Sequence, residues 1–147
     1  MSDPATPDPA LASEASDLRM ATFRLARRLR AQRAVDSMSD GQFAVLAALK
    51  VHGPHTLGEL ADRERVTAPS MNRTVNCLEE AGWLARSADD ADRRKVNIAL
   101  TPAGRAVVEE TARRRDAWLE DQLAALTGDE RDILRRAAAL LREVADT

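Results

Sequence analysis

Tyrosine is absent from this chain, and 147 residues hold only two Phe, two Trp, two His and one Cys. A lone cysteine, Cys77, excludes an internal disulfide and any metal motif built on a cysteine pair. His52 and His55 flank a Gly-Pro turn with no cluster of carboxylates or thiols near them in sequence, a poor basis for a metal site. Neither a glycine-rich phosphate loop nor a nucleophile–base pair is present, so no enzyme and no cofactor is expected. The longest apolar runs are far too short for a bilayer, and the N-terminus lacks a basic-then-apolar leader. The expectation is a cytoplasmic protein with no membrane partner. Lysine is scarce as well: 20 of the 22 basic residues are arginine, which with abundant alanine reads as coding bias from a GC-rich genome.

The net charge of −2 argues against a non-specific architectural protein, which needs a strongly basic chain. Its distribution is uneven. Residues 19–50 carry seven basic residues against two acidic, while residues 101–147 carry eight against ten. A local basic surface on a mildly acidic protein is compatible with this.

Residues 1–16 are rich in Pro, Ala, Ser and Asp and are expected to form a disordered arm, turning helical near Leu11. Residues 17–147 are expected to be one domain. Leu18, Ala21, Leu25 and Leu29 stripe a helix over 17–33. Ser39 with Gln42 forms a capping box for a second helix, "FAVLAALKV", apolar nearly all round and so central. Gly53-Pro54 ends it, and Thr56 with Glu59 opens a short helix, "LGELADR". Thr67, with Pro69 in the first turn, starts another that runs over 68–81 to a stop at Gly82. Two short helices this close predict a helix-turn-helix.

A β-hairpin follows: a strand over Trp83–Arg86, a polar tip, and a strand alternating at Val96, Ile98 and Leu100. Thr101-Pro102 begins a long helix to about Leu126, and a Thr127–Glu130 capping box opens a last one striped by Ile133, Ala137, Leu140, Leu141 and Val144. The fold class is mainly α, an α+β winged helix. The winged-helix part spans about 39–100, flanked by dimerisation helices at about 17–33 and 102–145.

On a helical wheel, Met71, Val75 and Leu78 share one face of helix 68–81, and Asn72, Arg73 and Asn76 project opposite. Ser70 lies near the edge. A solvated polar face is the commoner explanation of such a wheel alone. Asn and Arg, however, are the side chains that pair with adenine and guanine edges, and no Lys–Glu ladder is present. Placed after a helix-turn-helix, this face favours major-groove insertion. The hairpin is then a wing whose tip, "DDADRRK", suits the negative potential of a narrow minor groove. Asp92 is expected to hold the Arg94 guanidinium or a nearby backbone N–H. Cys77, at the border of the apolar face, is expected to be small and half-buried, and Trp118 to pack against its neighbours.

"L-x-x-L-A", "V-T-x-x-S-M-x-R-x-V" into "L-E-x-x-G-x-L", and "D-x-x-D-R-R" leading to "L-T-x-x-G" occur in order over about a third of the chain. Together they resemble the winged helix of the multiple antibiotic resistance regulator family, MarR. The resemblance implies a homodimeric, ligand-responsive repressor or activator acting on double-stranded DNA at a palindromic operator, with a repressor released by a small amphiphilic or aromatic effector as the expectation. It implies Ser70, Asn72 and Arg73 at the major groove and Arg94 at the minor groove. The full expected contact set is Thr67, Pro69, Ser70, Asn72, Arg73, Asn76, Arg93, Arg94 and Lys95, with Asp92 positioning the wing. Family members often carry an acid and a base where this chain has Asn76 and Cys77, so an electrostatic link between that helix and the wing is expected to be missing. Asp90 replaces a frequent proline, which leaves the tip less rigid. A winged-helix protein-interaction module without specific DNA binding is the alternative.

Overall fold

Hydroxyl and carboxylate caps set where the helices begin. The computed structural model describes residues 8–147, with helices α1 (Pro9–Ala31), α2 (Asp40–His52), α3 (Leu57–Glu64), α4 (Ala68–Glu80), α5 (Pro102–Ala124) and α6 (Gly128–Ala145). Strands β1 (Leu84–Ala88) and β2 (Val96–Leu100) lie between α4 and α5. Ser39 and Thr127 make full capping boxes with Gln42 and Glu130, and Thr56 and Thr67 accept from the backbone N–H groups of Glu59 and Ser70. Each bond satisfies a donor that the first helical turn leaves unpaired.

One expected boundary is corrected. Residues 9–16, expected as part of a disordered arm turning helical near Leu11, are helical throughout: α1 begins at Pro9, capped by Asp8, whose side chain accepts from the Ala10 N–H. Proline in the first turn and the alanines at 10, 12 and 15 outweigh the polar composition, because Ser and Glu are tolerated along an exposed helix. The remainder of that arm, residues 1–7, lies outside the described residues.

The chain divides into two compact units: Arg33–Arg115, and the residues up to Gln32 together with Asp116–Thr147. In the first, Val45, Leu46 and Leu49 of α2 meet Leu60 and Ala61 of α3 and Met71, Val75 and Leu78 of α4. Leu84, Ile98 and Val108 complete this cluster from β1, β2 and α5. Fully burying each large side chain contributes roughly 1.5–3 kcal/mol. β1 and β2 pair antiparallel from Leu84 opposite Leu100 to Ala88 opposite Val96. The first strand therefore lies slightly later than the Trp83–Arg86 expected.

His55 adds a third, one-residue edge to this hairpin by exchanging backbone hydrogen bonds with Ile98, at 3.0 and 2.7 Å. Its ring is buried, and Nδ1 lies 2.7 Å from the Gly53 carbonyl. A carbonyl only accepts, so Nδ1 carries the proton. Gly53 and Gly82, at φ of 80° and 82°, close α2 and the turn after α4. Between α3 and α4, Arg65 takes the left-handed conformation (φ 54°) that the tight turn needs.

In the second unit, α6 and most of α1 present large apolar side chains to solvent, among them Phe23, Leu25, Ile133, Leu140 and Val144. Trp118 is half-buried, with the Arg28 guanidinium 5.7 Å from its ring. No helix is long and apolar enough to cross a membrane among the described residues.

The base of the hairpin and α5 meet at Gly104. The Thr101 N–H donates to the Trp83 carbonyl at 3.2 Å, and the Thr101 hydroxyl donates to the Gly82 carbonyl at 2.6 Å. A Cβ at position 104 would stand 1.8 Å from the Trp83 carbonyl oxygen. Alanine is intrinsically better than glycine in a helix by about 0.8–1 kcal/mol. Here overpacking against backbone wins, at about 1–3 kcal/mol or more. Gly104→Ala is therefore expected to lower the urea midpoint of unfolding. An unchanged or raised midpoint would show that this close approach is not needed.

Candidate nucleic-acid interface

Helix α4 is amphipathic because its apolar residues recur at i, i+4 and i+7. Met71, Val75 and Leu78 are at most 2% exposed, whereas Asn72, Arg73 and Asn76 face solvent. Thr67 caps this helix and is itself exposed, as is Pro69 in the first turn. Ser70 is half-buried, its carbonyl accepting from the Thr74 hydroxyl at 3.3 Å. Arg73 makes no hydrogen bond or ion pair with any described residue, so its guanidinium is available. Cys77 is exposed, which corrects the half-buried position expected of it. The helix packs through a narrow stripe, and position 77 falls just outside.

The hairpin carries a second cluster. Asp89 Oδ1 accepts from the backbone N–H groups of Ala91 (2.7 Å) and Asp92 (3.3 Å), and Oδ2 accepts from Asn97 Nδ2 at 3.0 Å. Those bonds, the Ala91 N–H first, together with the nearby Lys95 charge, hold the Asp89 carboxyl below its ordinary pKa. Asp92 Oδ1 accepts from both the backbone N–H (3.1 Å) and Nε (3.2 Å) of Arg94. The contact between Asp92 and Arg94 is thus present, while the Arg94 side chain remains 91% exposed. Arg93 and Lys95 are exposed beside it. The carboxylates turn inward to backbone donors, and the three cations turn outward.

A third group joins the two elements. Arg86, on β1, donates through Nη1 to Asn76 Oδ1 (2.9 Å) and Glu79 Oε1 (3.0 Å), and through Nη2 to Asn72 Oδ1 (2.9 Å). Its backbone N–H also donates to Glu79 Oε2 at 3.2 Å. The missing electrostatic link between α4 and the wing is therefore a corrected expectation: Arg86 and Glu79 supply it from positions other than 76 and 77. Arg86, Glu79, Asp89 and Asn97 were all outside the expected set. A signal for the first two was available. Arg86 stands two residues after buried Leu84, on the same strand face, where an arginine needs acceptors. Among the described residues no group of three or more His, Cys, Asp or Glu could hold a metal.

Residues 38–96 match the MarR family. An HTH-type transcriptional regulator of Mycobacterium leprae is 40% identical over 132 residues, covering 90% of this chain and 92% of that protein. The HTH-type transcriptional repressor MdtR of Bacillus subtilis is 31% identical over 110 residues, covering 75% of this chain and 71% of that one. A solved transcriptional regulator of Pseudomonas aeruginosa superposes with a TM-score of 0.85 at 29% identity, covering 95% of this chain and 99% of that one.

The tip geometry carries its own test. Removing the Asp89 carboxylate leaves the Ala91 and Asp92 N–H groups without their acceptor. Asp89→Ala should speed hydrogen exchange at those two amides while leaving α3 and α4 unaffected. The pH dependence follows from the direction of the shift. A carboxyl held below its ordinary value contributes stability that is fully present above the ordinary carboxylate range, and that stability is lost as pH falls through the depressed value. Tip exchange in the parent, once corrected for the intrinsic rate, should therefore show constant protection from pH 8 down to about 5. Loss of protection within that window would count against the Asp89 turn.

Proposed function

The chain belongs to the MarR family of DNA-binding HTH-type transcriptional regulators, and from that premise we propose how it holds its operator. Helix α4 enters the major groove, with Thr67, Pro69, Ser70, Asn72, Arg73 and Asn76 at the DNA. Arg93, Arg94 and Lys95 of the wing reach the adjacent minor groove, and Asp92 keeps the Arg94 side chain extended. The observation that carries this reading is the division of α4 into a buried stripe and a polar outer face with an unpaired arginine. Arginine suits the wing because narrow A·T-rich grooves concentrate negative potential. Repression is supported by the likeness to the Bacillus subtilis repressor. Release by a small amphiphilic or aromatic effector is supported by the family resemblance.

The protein acts as a homodimer on a pseudo-palindromic site, joined through α1, the distal part of α5, and α6. What supports this is the apolar surface of those helices: Phe23, Ile133, Leu140 and Val144 are each more than half exposed. Burying several such side chains contributes roughly 1.5–3 kcal/mol each, enough in sum for a dimer that persists at low concentration. Sedimentation at micromolar concentration is expected to give a dimer. A stable folded monomer there would remove the dimerisation reading.

A gel shift on the DNA upstream of the protein's own gene tests operator binding. Arg73→Ala should weaken specific binding by about 1–3 kcal/mol per half-site and relax preference at one base pair. Arg94→Ala should cut affinity severely with the fold intact, since its side chain is almost wholly in solvent. Arg94→Lys should restore only part, because a compact ammonium loses more hydration in a narrow groove. Asp92→Ala should do less harm than Arg94→Ala. Parent-like binding by Arg94→Ala would make the arginine pair a solvated turn only.

A further inference from the structure

Asn72, Asn76 and Glu79 recur at i, i+4 and i+7, so they share one face of α4, and Arg86 lies against all three. A guanidinium has donors only. Each asparagine must therefore turn its carboxamide oxygen toward Arg86, since the flipped amide would set donor against donor. Both oxygens are held at 2.9 Å. The two Nδ2 groups make no hydrogen bond with any described residue, and both side chains are exposed.

We infer that Arg86 is a specificity-determining positioning residue, which makes Asn72 and Asn76 donors only toward DNA and so turns them to acceptor-rich base edges, guanine above all. This rests on the proposed groove placement of α4. In the major groove an asparagine reads adenine by accepting from N6 and donating to N7. That pairing needs a free carboxamide oxygen. The second lone pair on each oxygen is poorly suited to it, because an approaching adenine amino group would bring its hydrogens against those of the guanidinium. Guanine offers N7 and O6, both acceptors, and matches a donor-only amide.

Glu79 makes the arrangement stable. One oxygen accepts from the Arg86 guanidinium and the other from the Arg86 backbone N–H, so the arginine is tied to α4 at both ends. Three acceptor contacts fix a side chain that is 27% exposed. The role is indirect: Arg86 acts through the asparagines and need not touch DNA itself.

Selection of sites from a randomised duplex pool by the full-length protein tests the inference. Asn72→Ala and Asn76→Ala identify the base positions that depend on each asparagine. At those positions the parent is expected to prefer guanine over adenine by about tenfold, the discrimination of one well-placed base contact. In Arg86→Met the oxygens are released, and the preference should fall to parity or turn to adenine. Arg86→Lys is the second variant, in case the first does not fold by circular dichroism. Its ammonium can still reach Glu79 but cannot span both asparagines, and it should lose the guanine preference too. A parent that prefers adenine there overturns the inference while leaving the groove placement standing. So does a folded Arg86 variant that weakens every sequence equally with the motif unchanged. If neither asparagine variant alters the selected motif, the placement of α4 itself fails, and the inference falls with it.

Discussion

The outward face of α4, on which the site in the Arg33–Arg115 unit depends, is set by the burial of three side chains from that one helix. Met71, Val75 and Leu78 fix the rotation of α4 about its own axis, because turning it by one residue, about 100°, would expose all three. Losing that burial would cost roughly 1.5–3 kcal/mol per side chain, a large part of the stability of an ordinary domain. The face carrying Asn72, Arg73 and Asn76 is therefore outward by necessity. The core specifies direction, and the polar residues then need only be of the right type.

Charge is handled in the same local way. A chain of net charge −2 cannot rely on a general field to reach a polyanion. At the wing tip, Asp89 and Asp92 spend their oxygens on backbone N–H groups, on Asn97 and on Arg94 Nε. These acids organise the turn and at the same time soften their own repulsion of phosphate. Arg93, Arg94 and Lys95 are left pointing outward, and Arg73 does the same on α4. Elsewhere Glu110 bonds both Arg113 and Arg114, which pulls its carboxyl down to about 2. Such exposed pairs add little stability.

Most helix boundaries were legible because their causes are local. Ser39 with Gln42, Thr56, Thr67, and Thr127 with Glu130 each cap a helix within three residues, and Gly53 and Gly82 each end one. The helical wheel of α4 was legible for the same reason. What escaped needed partners far along the chain. Arg86 meets residues up to fourteen positions earlier, and His55 bridges to Ile98 across more than forty residues. Neither contact leaves a periodic trace. Two misreadings were local, however. The early start of α1 lay in a cap, Asp8 before Pro9, that a polar, proline-containing stretch disguised. Cys77 was assigned to a border that the wheel resolves only coarsely. Asp89 was visible as a turn residue, but which of the neighbouring acids accepts the turn's N–H groups depends on backbone path.

The clamp at Arg86 changes what kind of surface this is. The hairpin's other links to α4 among the described residues include the short turn through Gly82, the Trp83 N–H bond to the Leu78 carbonyl and apolar contacts at the Leu84 end of the strand. With the clamp, the middle of β1 is bonded to three residues about one turn apart along α4. An interface whose parts are already fixed loses less entropy on binding, where each side chain newly immobilised costs about 0.5–1.5 kcal/mol. Asn72 and Asn76 are spared most of that cost, since their rotamers are set before any ligand arrives. Arg73 and Arg93, which have no side-chain partner among the described residues, bear it in full. The face therefore combines short amides whose orientation is decided in advance with longer arginine side chains that become ordered only on binding.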